Sequence, residues 1–578
     1  MPLIVMSNRS LFASRRASTA CPLSSGSPAA TGARLRFSPL WRLPLLVTTL
    51  LCSLLASTPS ASGQTAMQTY VEAMQPGTNW GNTLDAIPNR HSWGAPETTQ
   101  AMIQGLVAKG YKSIRIPITW SNYMGAAPDY AIDPAFMNHV QQVVDWSLDA
   151  GLYVMINIHH DSWTWLEEMP AHHDEVLDRY QKVWLQIATR FKDHSQKLSF
   201  ESVNEPGFKG LNDAAMAEML HEVNTTFHAL VRSTGGGNAT RPLVLPTVYT
   251  RSDQPMLDSL KNTITSLNDP NLIATVHYYG WFPFSVNLGG YTKFDETSIQ
   301  WVHTPLDAAH NTFVADGIPV IVGEFSVLSG SWIQRGEQLK YHEYVQYYGR
   351  SKGMTMMLWD TGGIYGRNTA DWANPDLGNI MMQAVTGRAI TAESDLLFLD
   401  ASAPVVDTIV NLQLNGNTLV SIQDNGTTLT PSADYTLSGN TLLLRAHVLA
   451  KYATGAYGEK ATLTLNADAG PAWKIFVRYA ATPVPAPLTT TTKIPFSLPV
   501  AFNGDLLATM ESKYADGSNA GLIDWTSFQQ FGSDFRPNYA NNSIDFTANF
   551  FKNAPPGIVN LSLHFWSGKV LNYQLEIT

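Results

Sequence analysis

Between residues 77 and 360, short apolar runs typical of buried strands alternate with longer amphipathic stretches typical of helices. Several connections carry a glycine directly after the helix-like stretch, where helices commonly end. The eight strand-like runs are 77–81, 113–118, 153–160, 198–203, 242–246, 273–279, 319–325 and 355–360. Eight strands alternating with helices over this length predict a (β/α)₈ barrel. An open doubly wound sheet is the alternative, but no Gly-x-Gly-x-x-Gly follows the first run.

A glutamate lies at or just after the carboxyl end of two of these runs. Asn204 and Glu205 follow one run directly, before Pro206, which cannot continue a strand ladder, and Glu324 stands at the end of another. In a parallel barrel these strand ends meet on one face. Hydrolysis of a glycosidic bond needs two carboxylates, one to protonate the leaving oxygen and one to attack the sugar carbon or to activate water.

Polar and aromatic residues also end other runs of the predicted barrel. They are Arg115, His159 with His160, His277 with Tyr279, and Trp359. One buried histidine or arginine at a strand end is usually structural. Six strands that converge on one face with such residues are improbable as core filling, so this face is the predicted active site.

Length and charge restrict the class of protein and of partner. A chain of 578 residues predicts two to four domains. The net charge of −10 is mild over this length and includes no basic patch, which argues against nucleic acid. Only 15% of the residues are charged and 11% are aromatic, a composition that favours a neutral glycan as the partner. We expect a monomer, with no stable membrane association.

The N-terminal leader has the composition of a targeting segment. Residues 1–71 include arginines but no Asp, Glu or Lys, and an apolar run at 43–56 is short for a membrane span. Small residues at 60–63 fit a secretory cleavage site, so we expect the leader 1–63 to be removed and the protein to be secreted. An organelle transit peptide and an uncleaved signal anchor are the alternatives. The two cysteines, Cys21 and Cys52, lie in this leader, so the mature chain would have no disulfide.

Glycosylation triplets fit a secreted glycoprotein. They occur at Asn224, Asn238, Asn425, Asn541 and Asn560.

In its motifs, the region of about 77–390 resembles glycoside hydrolase family 5, a family of retaining (β/α)₈ β-glycanases. The motifs are Gly-Asn-Thr-Leu-Asp-Ala at 81–86, Ile-Arg-Ile-Pro at 114–117, Asn-Ile-His-His at 157–160, Phe-Glu-Ser-Val-Asn-Glu-Pro at 200–206, His-Tyr-Tyr at 277–279, Gly-Glu-Phe at 323–325 and Leu-Trp-Asp at 358–360. The first motif looks like that of subfamily 4, whose members cleave β-1,4-glucans, xyloglucan and mixed-linkage glucan. Ala95, Ser326 and Thr361 depart from the family pattern and leave substrate preference open.

The resemblance, together with the chemistry, implies a role for each residue of the site. Glu205 would be the general acid and then the general base, with its pKa raised by a less polar setting and the neighbouring carboxylate. Glu324 would be the nucleophile, held ionised by Arg115 and oriented by the hydroxyl of Tyr279. Asn204 would bond the sugar 2-hydroxyl.

Further residues would hold the substrate. His159 and His277 would position substrate hydroxyls and the carboxylates, and Trp359 would stack beneath the reacting sugar. Asn82, Trp93 and Trp281 are further candidates, and Trp80, Trp163 and Trp165 also follow predicted strand ends. For each of these tryptophans taken singly, packing is an equal alternative. No His-Glu-x-x-His motif or cysteine cluster is present, so we expect no catalytic metal and no cofactor.

After residue 400 helical periodicity gives way to short alternating segments with Asn-Gly turns, which predict β-sandwiches. Residues 403–481 resemble the X2 immunoglobulin-like module, for which we favour a spacer role over glycan binding. A stiff Pro-Thr-rich linker would follow at 483–492. Residues 493–578 resemble carbohydrate-binding module family 46, with Trp525 and Trp566 as its tryptophans. The catalytic barrel would occupy residues 64–398.

These features predict a secreted, trimodular endo-β-1,4-glucanase that hydrolyses β-glucan by double displacement with retention. A β-mannanase or a xyloglucan-specific hydrolase on the same barrel is one alternative. A catalytically inactive glycan-binding protein is another, although the presence of both glutamates with Arg115 and Tyr279 argues against it.

Overall fold

The computed structural model describes residues 64–487, 494–521, 523–552 and 554–578, so the leader and its cysteines lie outside the described residues. Its first part is a closed barrel of eight parallel strands in sequence order, which confirms the predicted fold. The strands are β1 (Gly77–Asn79), β2 (Ser113–Ile116), β3 (Tyr153–Asn157), β4 (Leu198–Glu201), β5 (Leu243–Pro246), β6 (Leu272–Tyr278), β7 (Val320–Phe325) and β8 (Met354–Leu358).

Helices surround the barrel and begin where the sequence offers a cap. The third helix, for example, starts at Pro134 with the carboxylate of Asp133 accepting from the amide of Ala135 at 2.7 Å. The helices are α1 (Ala66–Ala73), α2 (Gln100–Ala108), α3 (Pro134–Asp149), α4 (Asp161–Thr164), α5 (His173–Phe191), α6 (Asp213–Ser233), α7 (Gln254–Leu267), α8 (Phe282–Ser285), α9 (Glu296–Thr312), α10 (Arg335–Ser351) and α11 (Pro375–Thr386).

The second module packs a four-stranded sheet against a five-stranded sheet. It begins earlier than the predicted residue 403, because Thr391–Ala392 and Leu396–Asp400 are already strands of its two sheets. Its other strands are Thr408–Gln413, Leu419–Asp424, Thr427–Thr428, Tyr435–Ser438, Thr441–Leu444, Gly458–Ala467 and Trp473–Ala480, with a short helix at Ala446–Ala450.

The third module also consists of two antiparallel sheets, of four and three strands. Its first strand, Val484–Pro485, pairs with Val500 and Ala501, so this part of the predicted linker belongs to the module, and residues 488–493 lie outside the described residues. The other strands are Phe496–Ala501, Leu507–Tyr514, Phe535–Asn538, Ser543–Phe546, Gly557–Phe565 and Val570–Ile577, with a short helix at Ala548–Phe551.

The second module shares its hydrophobic core with the barrel. Leu339 of α10 and Leu377 and Ile380 of α11 belong to the same buried cluster as Leu412 and Val477 of the second module. Arg335 of α10 adds an ion pair to Asp395 at 2.9 Å. Because the two modules bury one apolar cluster between them, the joint is rigid.

The third module contacts two loops of the barrel that follow β6 and β7. Asn287 donates from Nδ2 to the carbonyl of Ala508 at 3.1 Å, and its own carbonyl accepts from the amide of Phe531 at 3.2 Å. At this contact two aromatic rings pack directly against glycines of the other part. A Cβ on Gly290 of the barrel would be 2.8 Å from the ring of Phe528 in the module, and a Cβ on Gly532 of the module would overlap the indole of Trp332 in the barrel. The module therefore lies against the barrel.

Two predicted glycosylation positions are wrong for the folded chain. Asn224 and Asn238 are buried, with Asn224 accepting from the hydroxyl of Ser202 at 2.7 Å and Asn238 donating to the carbonyl of Ala188 at 2.8 Å. The remaining three, at Asn425, Asn541 and Asn560, are exposed. Across the described ranges that begin at residue 64, no helix is both long and apolar enough to span a membrane.

Candidate active site

Glu205 and Glu324 face each other across the carboxyl end of the barrel. One oxygen of each carboxylate and a ring nitrogen of His277 all lie within 4.8 Å of one another. Nδ1 of His277 is 2.8 Å from Oε1 of Glu205 and 3.7 Å from Oε2 of Glu324. Glu205 is 27% exposed, whereas Glu324 is 5% exposed. The structure thus brings the two predicted carboxylates together, one open to solvent and one enclosed.

Arg115 is completely buried at the centre of a hydrogen-bond network. Its Nη1 donates to Oε1 of Glu324 at 2.6 Å and to Oδ1 of Asn79 at 2.9 Å, and its Nη2 donates to Oδ1 of Asn204 at 2.7 Å. Its Nε donates to Oε2 of Glu201 at 2.8 Å. Burial lowers the pKa of this guanidinium, but the charges of Glu201 and Glu324 outweigh burial, so the pKa is raised and Arg115 stays charged.

Glu201, Asn157 and Asn79 complete this network and are not among the predicted site residues. Glu201 is the last residue of β4, and the amide of Asn157 at the end of β3 donates to the same oxygen, Oε2, at 2.8 Å. Glu201 and Asn157 stand inside the motifs 200–206 and 157–160, so position alone could have revealed them. Their side chains act through Arg115 and His159 rather than facing the two glutamates.

The backbone of Glu205 is held in a rare conformation. Its φ is 41°, in the left-handed region that a side chain with a Cβ rarely adopts. The following turn is fixed by Tyr249, whose amide donates to the carbonyl of Pro206 at 2.8 Å and whose ring leaves no space for a Cβ on Gly207. This turn directs the carboxylate of Glu205 toward His277.

The unliganded protein does not raise the pKa of Glu205, so the prediction of a raised value is wrong for this state. Burial raises the pKa, but the hydrogen bond and charge of His277, with smaller contributions from Arg115 and His160, outweigh it. The pKa of Glu205 therefore lies below its ordinary value. His277 approaches this closely because Gly323 has no side chain: a Cβ there would lie 2.9 Å from Nε2 of His277.

Tyr279 and His159 are hydrogen-bonding groups that stay neutral. The hydroxyl of Tyr279 donates to Oε2 of Glu324, and burial with the nearby carboxylates raises the pKa of Tyr279 well above its ordinary value. Burial and then the charges of His160, Arg115 and His277 lower the pKa of His159. His159 lies parallel to Trp359, with ring centroids 5.9 Å apart and an angle of 5° between the planes.

The tryptophans predicted near the strand ends of the barrel are either buried or half-buried. Trp80 is 1% exposed and Trp165 is 6% exposed, so neither offers a platform to a sugar. Trp359 is half-buried beside Gly81, where a Cβ would lie 3.0 Å from its ring. Trp93 and Trp163 are also half-buried, with ring centroids 5.4 and 5.2 Å from that of His160.

Asn82 has a positive φ of 61°, and its amide donates to Asp85 at 3.1 Å, so its backbone is held in the β1 loop.

The remaining predicted binding residues lie further along the chain. Trp281 is half-buried, two residues after Tyr279. Trp525 is 48% exposed, and its ring would lie 3.1 Å from a Cβ on Gly289 of the same barrel loop. Trp566 stands apart: its amide donates to the carbonyl of Leu506, and the neighbouring Lys569 pairs with Asp400 of the second module. The structure brings Trp525, but not Trp566, to the barrel loop.

Comparison with known proteins agrees with this architecture. Residues 73–363 match the family model "Cellulase (glycosyl hydrolase family 5)", residues 391–477 match "Carbohydrate binding domain X2", and residues 481–578 match a carbohydrate-binding domain of family 46. The chain is 46% identical to Endoglucanase B of Paenibacillus lautus over 527 residues, which cover 89% of this chain and 93% of that protein. The chain belongs to glycosyl hydrolase family 5.

Two solved structures of trimodular endoglucanases match nearly the whole described chain. A trimodular subfamily 4 endoglucanase superposes with a TM-score of 0.87 at 43% identity, covering 89% of this chain and 98% of that one. The full-length trimodular endo-β-1,4-glucanase B of Bacillus halodurans superposes with a TM-score of 0.86 at 46% identity, covering 88% and 97%. This chain is thus a family 5 glycoside hydrolase with two carbohydrate-binding domains.

Two clusters in this glycoside hydrolase have the spacing of metal ligands: Glu205 with His277 and Glu324, and Asp85 with His159 and His160. In the first, each carboxylate already has a partner of its own in His277 or Arg115. In the second, the carboxylate of Asp85 accepts from two backbone amides of the β1 loop. The carboxylates of both clusters thus have protein partners, while Nε2 of His160 lies 3.7 Å from Oδ2 of Asp85 without a hydrogen-bond partner among the described residues.

Proposed function

We propose that this family 5 glycoside hydrolase is an endo-β-1,4-glucanase that acts by double displacement with retention of configuration. The observation that carries the proposal is the short distance between the two carboxylates, whose nearest oxygens lie within 4.8 Å. Retaining glycosidases separate their carboxyl groups by about 5–5.5 Å, whereas inverting ones need about 6.5–9.5 Å to admit a water molecule. A nearest-oxygen distance of no more than 4.8 Å favours the retaining arrangement over the inverting one.

In the first step Glu324 attacks the anomeric carbon while Glu205 gives a proton to the leaving oxygen. Arg115 and Tyr279 fix the orientation of Glu324 by donating to both of its oxygens. A glucan bound over the exposed part of Glu205 removes water from it, which favours the protonated form. The low pKa of Glu205 in the free enzyme is then compatible with its role as the acid in the complex.

In the second step Glu205, now a carboxylate, takes a proton from the water that hydrolyses the glycosyl-enzyme. The hydrogen bond from His277 stabilises this carboxylate and holds it in place. Asn204 is oriented by Arg115, so its amide nitrogen is available to the 2-hydroxyl of the reacting sugar. Trp359, parallel to His159, offers the face of an indole ring beneath that sugar.

The relatives support the proposed substrate class. A trimodular endo-β-1,4-glucanase of Bacillus licheniformis, 30% identical to this chain, was crystallised with cellotetraose. A related structure described as a xyloglucan-specific endo-β-1,4-glucanase is 27% identical over 55% of this chain. We therefore place β-1,4-glucans first and a xyloglucan-dedicated enzyme second. The loop residues Ala95, Ser326 and Thr361 keep the choice between these glucans open.

The decisive experiment is proton NMR of cellotetraose hydrolysis during the first minutes. Retention predicts that the β-anomer of the new reducing end appears first and then mutarotates. Initial appearance of the α-anomer would contradict double displacement. Endo action predicts a rapid fall in the viscosity of carboxymethylcellulose with few reducing ends formed, and rates on barley glucan, xyloglucan and mannan compared in parallel rank the substrates.

We also propose that the protein is secreted and acts as a monomer. The acid-free leader supports export, and polymeric glucan is an extracellular substrate. N-terminal sequencing of the exported protein tests this, with cleavage near residue 63 as the expected result. Retention of the full leader on cell-associated protein would favour an anchor instead.

A further inference from the structure

An exposed aromatic cluster lies beside the active site and is not used by the reaction described above. It consists of Trp281 after β6, Tyr291 in the following loop and Trp301 on α9. The indole rings of Trp281 and Trp301 are parallel within 4°, with centroids 5.9 Å apart. Tyr291 meets Trp281 edge to face, with centroids 4.2 Å apart. Trp301 is 49% exposed and Tyr291 is 40% exposed.

The cluster is continuous with the active site at one end and with the third module at the other. Trp281 stands two residues after Tyr279, whose hydroxyl donates to Glu324. At the far end, the rings of Tyr291 and Trp525 both lie 3.1 Å from the position of a Cβ on Gly289. A chain leaving the active site along this side would therefore pass over the cluster before it reached the third module.

The backbone that carries the cluster is tied to the barrel before any ligand binds. The hydroxyl of Tyr278 donates to the carbonyl of Trp301 at 3.2 Å, which ties α9 to the end of β6. The carbonyl of Trp281 accepts from the amide of Ser285, whose carbonyl accepts from Ser329 in the β7 loop. The rings also pack against one another, and a ring restricted in this way loses less conformational entropy when a ligand stacks on it.

The surroundings of Trp301 favour a neutral ligand rich in hydroxyl groups. On the helix surface, Thr297 and Thr304 lie one turn before and after Trp301, and both are exposed. Gln300 is exposed beside them and donates to the hydroxyl of Thr304 at 3.5 Å. These side chains and the three rings of the cluster are uncharged. Flat apolar faces bordered by hydroxyl and amide groups match the alternating faces and edges of a glucan.

We propose that Trp301, with Trp281 and Tyr291, forms an outer binding surface for a β-glucan chain on the barrel itself. The surface holds sugars beyond those that contact the two carboxylates, so it acts on polymers more than on short oligosaccharides. The inference rests on the proposed endoglucanase function for the identity of its ligand.

The first test measures binding without hydrolysis. In the full-length chain carrying Glu324→Gln, Trp301→Ala should weaken retention in gels containing xyloglucan or barley glucan by roughly 3- to 10-fold. Trp301→Tyr should recover part of the retention because it restores an aromatic face. Leu185→Ala, at a leucine on α5 that is 47% exposed, should retain the parent affinity. Equal retention of the Trp301→Ala chain and its parent, with equal melting temperatures, would overturn the proposal.

The second test separates this inference from the proposed function. In the active enzyme, Trp301→Ala should raise KM for the polymer by a larger factor than KM for an aryl cellobioside. If the unsubstituted enzyme hydrolyses no β-glucan, the proposed function fails. If the enzyme does hydrolyse glucan, but Trp301→Ala raises KM for the polymer and for the aryl cellobioside by the same factor, only the proposal of an outer binding surface is rejected. Sedimentation of the parent enzyme and of the Trp301→Ala variant detects self-association. A dimer that forms only in the parent would show that the cluster binds a second copy of the chain instead of glucan.

Discussion

Glu201 and Arg115 form an ion pair at 2.8 Å in which neither side chain has any exposed surface. The pair lies behind the catalytic face, and Arg115 reaches from it to Glu324. Without Glu201, the guanidinium would lose the partner of its Nε. Glu201 therefore positions the nucleophile Glu324 indirectly, because it holds the Arg115 guanidinium that donates to Glu324.

Glu201→Gln should lower both activity and stability. Loss of a buried charge from a pair typically costs about 3–5 kcal/mol, because the partner charge remains buried. We expect kcat on barley glucan to fall at least tenfold and the melting temperature to fall by several degrees. Glu97→Gln is the matched control, because the exposed pair that Glu97 makes with Arg90 contributes little. Unchanged kcat in Glu201→Gln would mean that Arg115 needs no second carboxylate.

The two catalytic glutamates should differ on activated substrates. Glu205→Gln should lose about 10²–10⁴-fold in kcat on polymer but retain much of its activity on a dinitrophenyl cellobioside, whose leaving group needs little protonation. Glu324→Gln should lose a factor of about 10³ or more on both, because no glycosyl-enzyme forms. Rates are measured with both substrates at one pH. Equal residual rates of the two variants on the aryl substrate would contradict the assignment.

His277 should set the alkaline limb of the pH profile. Its hydrogen bond and charge lower the pKa of Glu205, so removing it in His277→Ala raises that pKa. The acid form of Glu205 then survives to higher pH, and the alkaline limb of kcat/KM, which reports the free enzyme, moves to higher pH. His447→Ala, at an exposed histidine of the second module, should leave the limb in place. A limb that stays fixed or moves to lower pH would show that His277 does not act on Glu205.

The contact between the third module and the barrel should affect polymer hydrolysis. Gly290→Ala places a Cβ 2.8 Å from the ring of Phe528, so the module must shift away from the barrel loop. We expect KM for xyloglucan to rise several-fold. Gly416→Ala is the control, since its φ of 87° is similar to the 79° of Gly290 but nothing lies within 4 Å of its Cβ. A rise in KM that is equal in both variants would point to backbone strain rather than to docking.

Within the third module, Trp525→Ala and Trp566→Ala should behave differently. Trp525 lies against the barrel loop at Gly289, whereas the hairpin of Trp566 lies near the second module. We expect Trp525→Ala to reduce activity on insoluble glucan while its melting temperature stays close to that of the parent. Trp566→Ala should not reduce activity at a matched folded fraction. Removal of residues 481–578 gives the upper limit of the effect, and unchanged rates after removal would leave the module without a role in hydrolysis.

Regular features of the barrel made much of the site predictable. Because parallel strands end on one face, Glu205, Glu324, Arg115 and Tyr279 could be placed together from their positions alone. The lowered pKa of Glu205 could not be predicted, since it depends on the 2.8 Å approach of His277 from another strand.

Features that the sequence left open have equally specific causes. Trp165 follows a predicted strand end like the half-buried Trp163, yet its indole nitrogen donates to Asp161 inside the barrel loops. Which of two neighbouring rings is buried depends on loop packing. The early strands Thr391–Ala392 and Val484–Pro485 are two residues long, so they contain no alternation that a sequence could reveal. Glu201 stands inside the motif 200–206 and could have been selected by position, but its contact with Arg115 is visible only in the structure.

The apolar cluster shared by α10, α11 and the second module has a consequence for how such chains diversify. Leu339 lies in the region that matches the cellulase model, Ile380 lies between the two matched regions, and Ile475 lies in the region that matches the X2 model. Cutting between them would leave both fragments with an unfilled face. An exchange of the barrel alone would expose apolar side chains of this chain on both sides of the cut, so the part that folds together here is larger than the part that carries the catalytic residues.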